Sequence, residues 1–251
     1  MKAVSRSALR RDVADFLKSM PAAYAQDFAL RDIEEHAQIV ARRGQLSAHA
    51  EPWQGALGTA FVCVVADDRP GLLSFVTDAL LVHGLNIKSA QIYCRCRPDS
   101  VWEAVDFFCV EAAHAQPEAA CVEPGELAGF AQTLRELIAE EQVVERHASE
   151  RDTIPVPRPR PSRVYFDIDA LRRNELLLVV DTPDFSGLLF GISSALHAQG
   201  MRIMASQIRT EDGMARDRFH LAALETQQLT GERLCDIQQA VWAAVRAGGK
   251  A

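Results

Sequence analysis

Two stretches of the chain decide its fold: DDRPGLLSFVTDALLVHGLNIKSAQI at residues 67–92 and PDFSGLLFGISSALHAQGMRIMASQI at residues 183–208. A shift of 116 residues places the glycines and many aliphatic residues of the first stretch on those of the second, without a gap. The coinciding pairs include Gly71 with Gly187, Gly84 with Gly200, and Gln91 with Gln207. Such a match indicates a supersecondary unit that is present twice.

Each copy has the same predicted order of elements. An apolar strand leads through a glycine turn into a helix with apolar residues at helical spacing, and Gly84 or Gly200 ends that helix as a C-cap. An alternating strand and its hairpin partner follow, with a clear turn signal at residues 211–213 (Glu-Asp-Gly) in the second copy. A second helix comes next, and in the first copy the strand QVVERHA at 142–148 closes the unit.

This βαββαβ order predicts an α+β fold made of two ferredoxin-like domains, each an antiparallel sheet with helices on one face. The domains are predicted at 57–148 and 164–247, joined by an extended Pro/Arg linker at 149–163. The second copy ends without a fourth strand, so we expect VYFDID at 164–169 to fold back and fill the vacant edge. Residues 1–50 hold two amphipathic segments, 10–20 and 28–44, and are predicted to form a short helical segment.

Composition limits the function classes. The 251 residues are 48% hydrophobic and carry a net charge of -7. No apolar run is long enough for a membrane span or a secretory signal, so we expect a cytoplasmic protein without a membrane partner. The acidic balance argues against nucleic-acid binding through a broad basic surface. Six cysteines without a framework spacing are predicted to be reduced, mostly buried thiols.

Metal binding and histidine chemistry have weak signals. Cys94 and Cys96 would share one face of a strand, with Cys63 and Cys109 on adjacent strands, and such thiols are able to bind a soft metal. The sequence has no second Cys-x-x-Cys knuckle, so packed thiols are favoured, and we predict no metal and no cofactor. For His36 we expect a solvated helix face, the alternative being a hydrogen bond to the aspartate one turn earlier.

The turn at the start of the first helix has the chemistry of a ligand site. Asp68, Pro70 and Gly71 place a carboxylate, a fixed backbone angle and a glycine directly before a helix N-terminus. Free N–H groups and the helix dipole attract a carboxylate there, while Asp68 is able to receive an ammonium group, so the turn suits a free amino acid. The alternative is a capped turn without a ligand, which the residues alone favour because many helix N-termini carry such residues for capping.

The first stretch resembles the signature of ACT domains, which are regulatory modules that bind amino acids where two modules pair. In that family, contacts come from the glycine of an Asp-x-x-Gly-Leu turn and from an asparagine fifteen residues later. Carried over by position, the resemblance implies a ligand site at Asp68, Arg69, Pro70, Gly71, Leu72, Asn86 and Ile87. In the second copy, the corresponding positions are Asp184, Gly187, Leu188, Arg202 and Ile203. There Arg202 replaces the asparagine, so the second site matches the pattern less well.

The whole arrangement resembles the C-terminal regulatory region of bacterial PII uridylyltransferase/uridylyl-removing enzymes. The resemblance rests on two ACT-like units, a proline-containing linker running into PSRVYFD at 161–167, and the preceding segment at 16–43, and it extends from about residue 16 to 246. The nucleotidyltransferase of that family needs a Gly-Ser turn, and its hydrolase needs a His-Asp dipeptide. The sequence contains neither dipeptide, so the resemblance implies a protein that is not itself an enzyme.

These observations predict an amino-acid sensor that signals by changing the packing of its two ACT domains, with glutamine as the first candidate ligand. The domains are expected to pair within the chain, in a homodimer or with a partner protein. Two alternatives stay open. The chain is either a ligand-free ACT interaction module or a non-catalytic part of a nitrogen-regulation system of the PII uridylyltransferase type.

Overall fold

The computed structural model describes residues 6–54, 60–112, 124–140, 161–173, 175–185, 187–224 and 229–248. The elements of the first half are α1 (Arg6–Ser19), α2 (Tyr24–Asp27), α3 (Leu30–Arg43), β1 (Ala48–Gln54), β2 (Ala60–Asp67), α4 (Leu72–Val82), β3 (Leu85–Cys96), β4 (Trp102–Ala112) and α5 (Pro124–Glu140). The elements of the second half are β5 (Arg163–Phe166), α6 (Ile168–Arg172), β6 (Leu176–Pro183), α7 (Leu188–Ala198), β7 (Met201–Glu211), β8 (Met214–Ala223) and α8 (Gly231–Gly248).

The two copies form one α+β fold with a single eight-stranded antiparallel sheet, in the order β1-β2-β4-β3-β7-β8-β6-β5. The sequence left open whether the two units pair through sheet edges or helix faces, and in the structure β3 and β7 pair across the boundary. The predicted order of β-α-β-β-α is present in both halves. The sequence did not decide between pairing within the chain and pairing between chains, and the structure shows pairing within the chain.

The boundary between the halves has a twofold character that follows from the repeat. Gln91 lies opposite its own counterpart Gln207, and on either side Ser89 faces Arg209 and Tyr93 faces Ala205. Since Tyr93 corresponds to Arg209 in the 116-residue shift, the two strands meet as equal partners of opposite direction. Helices α4 and α7 also pack together above this seam, where the Ser74 hydroxyl donates to Ser193 Oγ at 3.2 Å.

The edge strands differ in part from those predicted. β5 pairs antiparallel with β6, as expected for residues 164–166, but Asp167 then caps α6 by accepting from the Ala170 N–H at 2.8 Å. The corresponding edge of the first half is β1, which pairs with β2 and was not predicted. The strand predicted at 142–148 lies outside the described residues, as does most of the predicted linker.

One hydrophobic core fills the space between the sheet and helices α4, α5, α7 and α8 and is continuous across both halves. A second core lies on the opposite face of the first half, under α1–α3. It buries strand residues including Trp53, Val65, Tyr93, Val105 and Phe107. The first half therefore has three layers, whereas the described helices of the second half lie on one face of its strands or, in α6, at its edge.

His36 is buried in this second core, so the expectation of a solvated helix face was wrong. Its side chain is fully buried and packs against aromatic rings, among them Phe107 at a centroid distance of 4.2 Å. Its Nδ1 is 2.7 Å from the hydroxyl of Tyr24, not bonded to Asp32. Burial lowers the pKa of His36 to about 3, which keeps the ring neutral at ordinary pH.

Among the described residues, no helix is long and apolar enough to cross a membrane. None of the five cysteines that the structure describes forms a disulfide, and of these Cys63 and Cys94 are buried whereas Cys96 and Cys235 are exposed. Cys63 belongs to the core under α1–α3, while Cys94 borders a cavity on the other face of the sheet. Those thiols cannot meet at one site, and no group of three potential metal ligands occurs in the described part of the chain.

Candidate ligand-binding site

The predicted ligand turn lies between β2 and α4, at the boundary between the two halves. Gly71 has a left-handed backbone with φ of 78°, a conformation that L-residues with a Cβ rarely adopt. It occupies the N-cap position of α4, and no side chain caps this helix end. The arrangement leaves the positive end of the helix dipole available to a negatively charged group.

A small cavity adjoins this turn and is lined by both halves of the chain. Asp68, Pro70, Gly71 and Leu72 come from the turn, together with Asp106 from the sheet floor. The opposite wall comes from the second half and consists of Ser193, His197, Met201, Arg202 and Ile203. The cavity holds about 40 Å³, which is room for a few water molecules and is smaller than an amino acid needs.

Two opposite charges face each other across the cavity without a hydrogen bond. Asp68 Oδ2 is 3.5 Å from Arg202 Nε, and the two side chains are 6% and 27% exposed. Neither atom has a hydrogen-bond partner among the described residues, although both are buried. Burial raises the pKa of Asp68, while the Arg202 guanidinium and the Cys94 thiol act in the opposite direction. Buried polar atoms are normally satisfied, so this pair lacks partners that a ligand could supply.

Asp106 supplies a second carboxyl to the same cavity. It is 2% exposed, and its Oδ1 accepts a long hydrogen bond of 3.4 Å from the backbone N–H of Tyr93. Burial, with a further contribution from the negative charge of Asp68, raises the pKa of Asp106 well above its ordinary value. The raised pKa favours the protonated form of Asp106, and a protonated carboxyl group is able to donate a hydrogen bond.

The predicted residues of the first site are not all brought together. Asp68, Arg69, Pro70, Gly71 and Leu72 line the cavity, and Arg69 also ties the turn to α5 by donating to the Ile138 carbonyl at 3.0 Å. Asn86 and Ile87 lie at the start of β3 and are not among the residues that line it. The corresponding residues of the other copy, Arg202 and Ile203, line the cavity instead. The reason is that β3 and β7 run antiparallel across the seam, which places the start of β7 beside the first turn.

The second predicted site repeats the turn but has different side-chain bonds. Gly187 has φ of 82° and begins α7, whose residues Leu188 and Leu189 are buried. Asp184 Oδ2 accepts a hydrogen bond of 2.7 Å from the Thr210 hydroxyl. Thr210 corresponds to Cys94 in the repeat, so a hydroxyl stands here where the first site has a thiol. Arg202 and Ile203, which the sequence assigned to this second site, line the first one.

A chain of ion pairs connects the first turn to the helices on the other face of the sheet. Asp67 is adjacent in sequence to Asp68, and its Oδ1 is 2.7 Å from Arg43 at the end of α3. Arg43 also pairs with Glu103 at 2.6 Å, both side chains being 3% exposed. Glu103 accepts a further bond of 2.6 Å from Arg95 Nε, and Arg95 Nη1 donates to the Ser19 hydroxyl of α1 at 3.0 Å.

Sequence reasoning missed three of the residues that shape the site: His197, Asp106 and Arg43. The His197 ring lies so close to Gly71 that an added Cβ would come within 3.1 Å of its Cδ2. A signal for Asp106 did exist, because the stretch AVDFFCV at 104–110 is apolar apart from this carboxylate. For His197 and Arg43 no local signal existed, because their partners lie far away in the sequence.

Comparison with known proteins gives a partial likeness. No protein-family model matches the chain. A bifunctional uridylyltransferase/uridylyl-removing enzyme of Phenylobacterium zucineum is 26% identical over 86% of this chain and 22% of the enzyme. The enzymes of that name from Streptomyces coelicolor and Rhodospirillum rubrum are 26% and 25% identical over 73% of this chain, which is 22% and 19% of their own lengths. The chain thus resembles a segment that makes up about a fifth of these bifunctional enzymes.

Proposed function

We propose that the chain is a regulatory module of the tandem ACT type, built on two ferredoxin-like units, that binds a small amino acid between its halves. The similarity to a fifth of the bifunctional uridylyltransferase/uridylyl-removing enzymes supports a non-catalytic role in a nitrogen-regulation system of that kind. Glutamine is the first candidate ligand, on the sequence resemblance to the regulatory region of these enzymes. The element order and the pairing of β3 with β7 support the assignment to ACT-type modules.

The observation that carries the proposal is the unsatisfied pair of Asp68 and Arg202. A free amino acid carries an ammonium and a carboxylate on one carbon, so a single molecule between the pair would bind both charges. The ammonium would bind Asp68, and the carboxylate would bind the Arg202 guanidinium near the uncapped N-terminus of α4. In its protonated form, which burial favours, Asp106 would donate a further hydrogen bond from the floor of the cavity.

The small volume of the cavity explains how binding would produce a signal. The cavity of about 40 Å³ is smaller than an amino acid, so binding would require the turn and the wall that holds Arg202 to move apart. Arg202 is the residue of the pair that we expect to move, because its side chain is 27% exposed whereas that of Asp68 is 6% exposed. A ligand that binds the opened arrangement better than the closed one shifts the population toward the opened arrangement.

The ion-pair chain supplies the output of this change. Movement of the turn at Asp68 displaces Asp67 and alters its bond to Arg43, which anchors α3 together with Glu103. Arg43 is buried and bonded to both carboxylates, so a change in its bond to Asp67 would act on the end of α3. In this account α1–α3 are the part of the chain through which an attached or associated protein detects the ligand.

A thermal-shift screen against the twenty amino acids tests the proposal, with the Asp68→Asn variant run in parallel. A ligand at one hundred times its Kd stabilises the native state by about 2.7 kcal/mol, which raises the midpoint by roughly 5–10 °C in a protein of this size. We expect one or a few amino acids to give this shift in the native protein and none to give it in the variant. No shift with any amino acid would contradict ligand binding.

A specific observation also favours the second candidate, a ligand-free interaction module. Arg202 already lies close enough to attract Asp68, so the pair would act as a contact that holds the halves together without a ligand. In that case Arg202→Gln would lower the midpoint and no amino acid would raise it. The same screen therefore distinguishes the two functions.

A further inference from the structure

The outer face of the sheet, opposite α4, α5, α7 and α8, is covered in the first half, whereas no described helix covers it in the second. In the first half, α1–α3 bury Val65, Tyr93, Val105 and Phe107 on this face. The layer of buried residues beneath those helices ends at β3 within the described residues, although the sheet continues through β7, β8, β6 and β5. The second half thus presents four strands beside a helical layer that stops at the seam.

This surface of the second half is rich in arginine. The register of the strands places Arg209, Arg216 and Arg218 at the positions that Tyr93, Val105 and Phe107 occupy in the first half. Arg163 on the edge strand joins them, and all four arginines are exposed. We call these four residues the arginine face. Asp181 and Glu211 are the carboxylates beside them, so positive charge is in excess on this face of a chain whose net charge is -7.

The arginine face is compensated only in part, because Asp181 lies directly across from both Arg163 and Arg216 in the strand register. Arg216 pairs with Glu211 at 2.7 Å, whereas Arg163, Arg209 and Arg218 have no ion pair with any described residue. Arg209 and Arg216 lie across from each other on neighbouring strands. This register follows because Gln207 pairs with Arg218 on one side of them and Thr210 pairs with Ala215 on the other. Like charges in this position destabilise a sheet, so stability alone does not account for the arrangement.

We propose that the arginine face binds an acidic helix of a partner protein, which continues the helical layer begun by α1–α3. Arg163 and Arg209 lie three strand spacings apart, about 14 Å at 4.8 Å per strand. A helix with acidic residues at i, i+4, i+7 and i+11 spreads its charges over about 16 Å. That spread matches the face, whereas one phosphate group would reach only one or two of its arginines.

The face also has the shape and contact surface that such a helix needs. A cleft of about 370 Å³ opens among Arg163, Arg216, Arg218, Asp181, Met214 and Pro161. Tyr165, which is 42% exposed, lies across from the apolar Val179 on the same face and gives a helix an apolar surface between the charges. This inference does not depend on amino-acid binding at the Asp68 turn.

Fluorescence anisotropy with a defined probe tests the proposal. The probe is a labelled 18-residue alanine-based helix with glutamate at i, i+4, i+7 and i+11, and the matched peptide has glutamine there. The double variant Arg163→Gln/Arg218→Gln removes two charges from the face. The control variant Arg172→Gln/Arg173→Gln removes two charges from exposed arginines on and beside α6, outside the face.

We expect saturable binding of the glutamate peptide only, weakened about tenfold or more by Arg163→Gln/Arg218→Gln and within about twofold of native in the control. Equal loss in both variants, or equal binding of the glutamine peptide, would overturn the proposal. A single-stranded oligonucleotide of matched charge that binds more tightly than the peptide, and loses that binding in the face variant, would overturn it in favour of nucleic acid.

A stability measurement supplies an independent test. If Arg209 and Arg216 repel each other, Arg209→Gln should raise the melting midpoint by about 1–3 °C, while it weakens binding of the glutamate peptide. Opposite effects on stability and binding are what a binding surface predicts. A lower midpoint with unchanged peptide binding would show that Arg209 serves the fold, and would contradict its place in the face.

Discussion

The two glycine turns share one backbone and differ in their charges. Gly71 and Gly187 have φ values of 78° and 82° and begin helices of equal length. In the first turn Asp68 faces Arg202 at 3.5 Å without a hydrogen bond, while in the second turn Asp184 accepts a bond of 2.7 Å from Thr210. The residue before each aspartate also differs, because Asp67 binds Arg43 and its counterpart is Pro183, which carries no charge.

This difference shows how a duplicated unit becomes asymmetric without a change of fold. The second turn satisfies its own carboxylate with a neighbouring hydroxyl. The first turn also bonds its carboxylate within its own unit, to the Cys94 thiol and the Arg69 backbone. In addition it pairs with residues outside that unit, Arg202 from the second half and Arg43 from α3. The first turn contacts Arg202 through Asp68 and Arg43 through Asp67, so a movement at Arg202 is able to reach α3 through this turn. We therefore expect the regulatory function in the first turn.

The largest effect is expected at the buried link between the first turn and α3. Arg43→Ala breaks the buried pair with Glu103, which is 3% exposed and keeps only Arg95 as a cationic partner, and also removes the bond to Asp67, so it should lower the free energy of unfolding by about 3–5 kcal/mol. The matched change in the second half, Arg216→Ala, removes an exposed pair and should cost less than about 1 kcal/mol. Urea unfolding of both variants measures the difference. Equal costs would show that the link is not a buried pair in solution.

The first half, with its core under α1–α3, should also lose stability first as the pH decreases. The pKa of His36 is lowered to about 3 by burial, so between pH 6.5 and 3 the unfolded chain binds a proton that the folded chain does not. Above pH 6.5 His36 does not lower the free energy of unfolding. As the pH decreases from 6.5 toward 3, that free energy falls by about 1.4 kcal/mol per pH unit.

Urea unfolding between pH 7 and pH 4.5 measures this effect. The His36→Gln variant should lose that part of the slope, about 2–3 kcal/mol in total, whereas His220→Gln in the exposed sheet face of the second half should keep it. An unchanged slope in His36→Gln would contradict the burial of a neutral ring in this core.

Asp106 and Asp217 are the positions where the halves should behave alike. Both are buried in equivalent strands, and burial raises the pKa of each well above its ordinary value. The folded state therefore holds a proton that the unfolded state releases above pH 3.8, so each group lowers stability by about 1.4 kcal/mol per pH unit as pH rises above that value.

The neutral replacements Asp106→Asn and Asp217→Asn should each flatten this slope by the same amount, measured by urea unfolding between pH 4.5 and 6. A clear difference between the two variants would mean that the cavity beside Asp106 changes its titration. That result would show that the buried positions of Asp106 in β4 and Asp217 in β8 are not equivalent.

The smallest effect is expected at the two turn glycines. An alanine in a left-handed conformation costs about 1–2 kcal/mol, and this cost applies equally to Gly71→Ala and Gly187→Ala. At Gly71 the added Cβ also meets the His197 ring at 3.1 Å, whereas at Gly187 it meets Leu81 at an ordinary 3.7 Å. Gly71→Ala should therefore cost about 1 kcal/mol more. His197→Ala should remove this excess, and an excess that persists in the double variant would contradict the contact.

The repeat in the sequence predicted much of the fold, because strands, helices and cap glycines follow local patterns that occur twice. Gly84 and Gly200 end their helices with φ of 65° and 64°, as predicted. β1 was missed because its sequence, AHAEPWQ, includes a proline and charged or polar residues that a strand signal rarely contains. It is an edge strand, where a proline is tolerated.

The candidate site was harder to predict than the fold. A repeat shows that Asn86 and Arg202 are equivalent, but it does not show which of them meets the turn at Asp68. That choice depends on the antiparallel seam between β3 and β7, which places the start of β7 beside the first turn. Buried polar residues were missed for a related reason, since Arg43 and His36 look solvated until their partners in distant elements are known.

Isothermal titration with the amino acid that gives the largest shift in the screen tests the central claim most directly, namely that the first turn and Arg202 hold one zwitterion between the halves. Asp68→Asn and Arg202→Gln should each weaken binding by about tenfold to a hundredfold, because each removes one charged hydrogen-bond partner. Asp184→Asn and Asn86→Ala should stay within about twofold of the native Kd. Binding that is lost in Asp184→Asn or Asn86→Ala and kept in Asp68→Asn and Arg202→Gln would contradict the account.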